Sequence, residues 1–369
     1  MANKVLMKFL KTALAGKNPG DAAPESFSKE RVKSILLINT TAIGDTLMCT
    51  PAIRAIREGF PEARVTMFAG KGAMSVLKGN PHIDAFIDSP GKVNMNYLVK
   101  INGIVKKLKA AKIDLAVVLH GNDPEAVPIA CMSGARFRLG MGITEFKEHL
   151  TWYRPAGYDA HVVEERLRAL EPLGIESIDT QMEIFLSPDE EAASERLLVE
   201  AGIDGPFVCL HPFGSKPTRQ WSVEKAAELA GLLASELGLK TVLLGGAKEK
   251  EGSRQVVKLS SEPVFATAGL TDIRVSAAII KRSALTISTD SGPMHIAQAF
   301  NVPTIALIGS TLALSTGPVN KEAVVIQDLK ACDERRPCKL YKCDHISCMN
   351  AITTAEVMKS VRETYRVPA

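Results

Sequence analysis

The chain has 369 residues, too many for one ordinary core and enough for two domains. Hydrophobic residues make up 46% and charged residues 23%, which excludes a disordered chain. The net charge of +4 is small and scattered and aromatics are only 5%, so the sequence gives no footing for a nucleic-acid surface.

In chain order, the first element is a helix over residues 1–15. Lys4, Lys8 and Lys11 fall on one side, and Leu6, Phe9, Leu10, Ala13 and Leu14 on the other. A basic face opposite an apolar face suits an anionic membrane surface; the alternative is a helix docked on its own protein. The same lysines break the apolar stretch that a secretory signal would need. No apolar run approaches the roughly 20 residues of a membrane-spanning helix. The chain therefore reads as cytoplasmic, with its thiols reduced. Residues 16–30 (GKNPGDAAPESFSKE) are rich in Gly, Pro, Ser and charge and read as a linker.

From residue 33 strands and helices alternate. Strands are expected over 33–39 (KSILLIN), 63–70, 85–90 and 114–121 (DLAVVLHG), with helices over 46–58 and 95–111. The pattern then restarts with a helix over 188–201, a strand over 207–212 and a helix over 222–238 opened by Ser222 and closed by Gly238. Strands over 240–246, 285–289 and 302–309 follow, the last two separated by a helix. Strands this apolar belong in parallel sheets covered on both faces. The fold class is α/β, with two successive Rossmann-like units divided near 175–205.

Ligands of open α/β sheets sit beyond the carboxyl ends of the strands, and three such ends carry unusual loops. The first is Thr40-Thr41-Ala42-Ile43-Gly44-Asp45-Thr46. Gly44 permits a tight turn, and Asp45 is either an N-cap or a carboxylate able to take a proton from a hydroxyl. The second runs from His211 to Trp221, where Gly214 and Ser215 beside Lys216 and Arg219 suit a phosphate. The third is Thr289-Asp290-Ser291-Gly292-Pro293-Met294-His295 at the start of a helix, an anion site in kind. Gly-x-Gly-x-x-Gly and Gly-x-x-x-x-Gly-Lys-Ser/Thr patterns are both missing, which counts against a dinucleotide oxidoreductase and a P-loop protein. Seven cysteines occur. Cys49, Cys131 and Cys209 read as buried thiols. Cys332, Cys338, Cys343 and Cys348, with His345 among them, are spaced more widely than the usual paired zinc ligands, and a metal site, free thiols or a disulfide are the alternatives.

Three segments, ILLINTTAIGDTLMCTPAIRAIREGFPEARVTMFAG, HPFGSKPTRQW and STDSGPMHIAQAFNVPTIALIGST, resemble the bacterial lipopolysaccharide heptosyltransferases of glycosyltransferase family nine in residues, order and spacing. The likeness covers about residues 33–365. It implies a GT-B architecture, two Rossmann-like domains facing across a cleft. Residues 1–30 form the arm and linker, 31–185 bind the acceptor, 186–352 bind the nucleotide sugar, and 353–369 form a helix crossing back to the first domain. The implied reaction is an inverting, metal-independent transfer of heptose from ADP-heptose to the lipopolysaccharide inner core, a lipid A-core acceptor. It would take place on the cytoplasmic face of the inner membrane, with ADP-heptose as a substrate and no cofactor.

By this resemblance Asp45 is the base, with Thr41 and Gly44 on the acceptor side. Arg219 falls where many relatives carry lysine and meets the donor phosphates, with Gly214 and Ser215 beside it. Asp290, Ser291, Gly292 and His295 meet sugar and pyrophosphate. Thr267, Gly269 and Leu270 lie by the nucleotide base, and Glu249 or Glu251 holds the ribose. Acceptor loops are expected at 71–82 and 91–97, with Lys71, His82, Lys92 and Arg136 as candidates for acceptor phosphates. Rival readings are a relative with another donor or acceptor, a sugar-nucleotide epimerase, and an inactive binding protein.

Overall fold

The computed structural model describes residues 10–12, 14, 22–90, 97–120, 124–142, 145–155, 157, 159–332, 338, 343 and 345–365. It divides into two compact units, Met1–Thr180 and Gln181–Ala369. The break precedes the expected 185/186 boundary for a local reason. Gln181 Nε2 donates to the carbonyls of Gln298 and Ala299, both at 3.2 Å, and Arg274 donates to the Phe185 carbonyl. On the other side of the break, Arg54 pairs with the Asp179 carboxylate at 2.9 Å.

The first unit contains β1 (Ser34–Asn39), β2 (Arg64–Ala69), β3 (Ala85–Asp88), β4 (Leu115–Val118), β5 (Phe137–Met141) and β6 (Trp152–Arg154), in the order β3-β2-β1-β4-β5-β6. The second contains β7 (Phe207–His211), β8 (Lys240–Leu243), β9 (Val264–Ala266), β10 (Leu285–Thr289), β11 (Thr304–Leu307) and β12 (Val324–Ile326), in the order β12-β11-β10-β7-β8-β9. Every pairing is parallel. Numbered within its own unit, each sheet runs 3-2-1-4-5-6, the dinucleotide-binding order, which reverses at β1/β4 and again at β7/β10. The central strands are buried along nearly their whole length, as helices on both faces require.

Four strands, β5, β6, β9 and β12, were not expected from sequence. The helix expected over 46–58 is two helices, Ile43–Leu47 and Thr50–Gly59. Pro51 has no amide to donate back to Leu47, so the ladder breaks there. The second half of the expected linker is ordered. Phe27 packs edge-on against Phe137 and Trp152, with ring centroids 5.1 and 5.2 Å away, and Lys29 Nζ donates to the Gly174 carbonyl at 3.2 Å. In the arm, Leu10 and Leu14 are buried in the apolar core of the first unit with Leu36, Ile38 and Phe68. Those two side chains are therefore docked on their own protein and do not face a membrane. The helix Thr354–Thr364 buries Val357, Met358 and Val361 in the core of the second unit, and Arg362 pairs there with Glu236 at 2.5 Å. Among the described residues no helix is long and apolar enough to cross a membrane.

Candidate active site

In the first unit the polar groups gather where β1 and β4 end. Asn39 closes β1 and is 1% exposed. Its Oδ1 accepts from the Thr41 amide at 3.1 Å and the Thr41 hydroxyl at 2.5 Å, and its Nδ2 donates to Thr46 Oγ1 at 3.3 Å. This amide shapes the loop and engages the Thr41 hydroxyl. Ala42 is the N-cap of the short helix, and Asp45 is its third residue. Asp45 is thus not the cap that its position allowed, and among the described residues no amide bonds hold its carboxylate. Gly44 lies within the helix and is not one of the glycines with positive φ, so no turn there requires it.

The Asp45 side chain is 36% exposed, and its Oδ1 lies 3.7 Å from Nε2 of His120, two residues past the end of β4. Among the described residues that ring is the carboxylate's only ion-pair partner. His120 was missed in the sequence, although it follows an apolar strand just as the Asp45 loop does. Lys71 follows the carboxyl end of β2, whereas His82 precedes β3 and Arg136 precedes β5. The last two lie at the amino ends of strands, away from Asp45, and Arg136 rests on the Phe137 ring at 5.4 Å. Residues 71–77 form a helix where an acceptor loop was expected. Lys92 and residues 91–96 lie outside the described residues.

In the second unit the equivalent point, the ends of β7 and β10, is more heavily built. His211 and Ser288 are register partners. His211 Nδ1 lies 3.0 Å from Ser291 Oγ, which also reaches Ser288 Oγ at 3.1 Å and the Thr289 carbonyl at 3.1 Å. Burial pushes the His211 ring down to about 4, so it is neutral at physiological pH. Ser291 is the N-cap of the helix Gly292–Ala299 but makes no side-chain cap bond, since its hydroxyl is turned to His211. The cap side chain therefore does not take up the first-turn amides, and a helix start of that kind suits an anion. His295 is buried one turn into that helix.

Arg219 Nη1 lies 3.4 Å from Asp290 Oδ2, with the carboxylate 6% exposed and the arginine 29%. Among the described residues Arg219 Nε and Asp290 Oδ2 are buried without hydrogen bonds. Asp290 thus anchors the arginine and does not cap the helix. Gly214 closes on the same arginine, because a Cβ there would lie 2.6 Å from the Arg219 carbonyl and 2.9 Å from its Cβ. Ser215 is exposed beside it. Behind the loop, Trp221 is buried and donates from Nε1 to the Ile352 carbonyl at 3.1 Å, and Met349 packs against Gly309.

The base-side candidates lie at the end of β8 and beyond β9. Thr267 is fully buried, its hydroxyl bonded to the Leu243 carbonyl at 3.3 Å. Gly269 has φ +80° under the Lys250 stem, and Leu270 is 62% exposed. Glu249 accepts from the Gly246 amide at 2.8 Å, while Glu251 pairs with Arg254 on an exposed helix surface. Glu249 therefore belongs to the strand-end loop and Glu251 does not. The seven cysteines are free thiols. Burial pushes the Cys49 and Cys209 thiols up to about 11 and about 12. Cys348 is packed in an apolar core, and no group of three metal-binding side chains occurs among the described residues.

Two sheets of dinucleotide-binding order thus carry polar loops at the carboxyl ends of their central strands, the framework of a glycosyltransferase. The model of glycosyltransferase family 9 (heptosyltransferase) matches residues 101–343, and the chain belongs to that family. It is 27% identical over 278 residues to lipopolysaccharide heptosyltransferase 3 of Escherichia coli K12, covering 73% of this chain and 80% of that one. Its fold is that of a family 9 glycosyltransferase from Veillonella parvula, with TM-score 0.80, 23% identity, and coverage of 90% of this chain and 97% of that one. It is also that of the E. coli ADP-heptose LPS heptosyltransferase II, with TM-score 0.74, 20% identity, and coverage of 90% and 98%. Both neighbours bear out the two-domain GT-B class.

Proposed function

We propose that this enzyme transfers heptose from ADP-heptose to a sugar hydroxyl of the lipopolysaccharide core, with inversion and without a metal. The single observation that carries the reading is the Asp45 carboxylate, uncapped, 36% exposed and set 3.7 Å from His120 where β1 and β4 part. Asp45 takes the proton of the acceptor hydroxyl as that oxygen attacks the anomeric carbon. Arg219 and the first-turn amides of the helix Gly292–Ala299 neutralise the diphosphate as it leaves. Gly214 and Ser215 let the phosphates approach the loop, and Asp290 sets the guanidinium. Thr267, Gly269 and Leu270 border the adenine, and Glu249 is nearest in role to a ribose ligand. Thr41 and Gly44 shape the acceptor side around Asp45.

The acceptor is amphiphilic, so the enzyme works at the cytoplasmic face of the inner membrane. With Leu10 and Leu14 buried, Lys4, Lys8 and Lys11 would act there by charge, not by insertion. The test is mass spectrometry of core lipopolysaccharide from a strain lacking the protein, before and after incubation with the purified full chain and ADP-heptose. Addition of one heptose mass is expected. An unchanged core that the strain had already completed would sink the reading.

A further inference from the structure

Arg166 sits in the helix Val162–Arg168, 121 residues along the chain from Asp45. It is 2% exposed, and among the described residues no carboxylate pairs with it. Burying a guanidinium without a counter-charge is strongly unfavourable, and an apolar side chain would fill the space without that penalty. Its bonds give the charge a purpose. Nε donates to the Leu119 carbonyl at 3.1 Å, and Nη1 donates to the Asp45 carbonyl at 3.3 Å.

Both carbonyls lie at the ends of elements. The helix carrying Asp45 stops at Leu47, and the Cys49 amide donates to Thr46, so the Asp45 carbonyl is an orphan of the helix end. The Leu119 carbonyl leads directly into His120. Cys49 grips the same pair, its Sγ lying 3.2 Å from the Asp45 oxygen and 3.9 Å from the Leu119 oxygen. A guanidinium from the helix Val162–Arg168 and a thiol from the turn before the helix Thr50–Gly59 thus tie the backbone of Asp45 to the backbone beside His120.

We propose that Arg166 is a positioning residue for glycosyl transfer, setting the Asp45 carboxylate against His120 through these two carbonyls. The inference rests on Asp45 being the base. It differs from a packing role because it predicts that Arg166 matters only while Asp45 can act.

The experiment is a double-mutant cycle on the full chain. Its variants are Asp45→Asn, Arg166→Met and the pair, assayed with ADP-heptose and heptose-deficient core lipopolysaccharide. Arg166→Met should lower kcat about 30-fold, since small misplacements of a catalytic group have effects of that order, with KM for ADP-heptose held within about twofold. Arg166→Lys should recover part of the loss, because an ammonium can reach one carbonyl. In the D45N background, Arg166→Met should change kcat by less than about twofold. Equal fold losses in both backgrounds, or a wild-type kcat in Arg166→Met, overturn the proposal. Should the methionine variant fail to fold, the cycle is run with Arg166→Lys on the same criteria. A near-wild-type rate in Asp45→Asn alone overturns the base reading, and this inference with it, before any Arg166 variant is consulted.

Discussion

At the end of β1 the first unit presents Asp45 with 36% of its side chain exposed, whereas at the end of β10 the second unit holds Asp290 at 6%. Both aspartates stand where the strand order of a six-stranded sheet reverses, and both have a basic side chain across the gap. Asp45 faces a histidine at 3.7 Å and Asp290 an arginine at 3.4 Å. The difference lies in what surrounds them. The second carboxylate is nearly buried beside its guanidinium, in a loop where Thr289 Oγ1 donates to the Phe213 carbonyl and Ser291 meets His211. The first site is open over its carboxylate, and what is buried there is backbone support. One topology thus carries a half-exposed carboxylate beside a histidine in one copy and a nearly buried carboxylate beside an arginine in the other.

That contrast can be broken most sharply at Asp45. Asp45→Asn should lower kcat by about a thousandfold, the middle of the range for a lost general base, while ADP affinity measured by calorimetry stays at the wild-type value. A loss of ADP affinity of similar size would mean that the first site holds donor and the contrast is false. Arg219→Ala should lower kcat/KM for ADP-heptose by about 100-fold, as expected for a lost transition-state donor. Unaltered kinetics would remove Arg219 from the site. Gly214→Ala should weaken ADP about tenfold, because its Cβ would collide with Arg219 and overpacking of that kind is typically worth 1–3 kcal/mol.

The smallest effect concerns pH. An unfolded histidine binds a proton near 6.5, but burial keeps His211 from doing so until about 4. Between those values the unfolded chain holds more protons, so stability falls as pH drops from about 6.5 toward 4. Thermal melts of the wild type should show that slope, and His211→Asn should flatten it. An identical slope in the variant would mean that His211 is not buried as described.

Much of this was legible in the sequence because it is local. Apolar runs such as ILLI, VVL and TIAL mark central strands, and Asp45, Arg219 and Asp290 each sit in a loop directly after one. What was missed is short or long-range. β9 and β12 are three-residue edge strands whose half-buried side chains give no continuous apolar run. β6 reads Trp-Tyr-Arg, and β5 carries Arg138, a buried charge made tolerable by the Ala135 and His149 carbonyls at 2.7 Å each. The split at Pro51 was readable and overlooked. His120 had a positional signal. Arg166 had none, since a basic residue in a polar helix looks like surface until the carbonyls it meets are known. In the N-terminal arm amphipathicity leaves both readings open, because it does not say what covers the apolar side. Leu10 and Leu14 found their own core.

The chain contains two tryptophans, Trp152 and Trp221, and each unit holds one. Trp152 stacks on Phe137 at 5.8 Å in the sheet of the first unit, while Trp221 is 2% exposed two residues past Arg219. The molecule therefore carries a separate optical reporter in each half. Trp152→Phe would leave an emission that follows only the arginine loop, and Trp221→Phe one that follows only the Asp45 unit. ADP titrated into each variant should perturb the first signal and leave the second still.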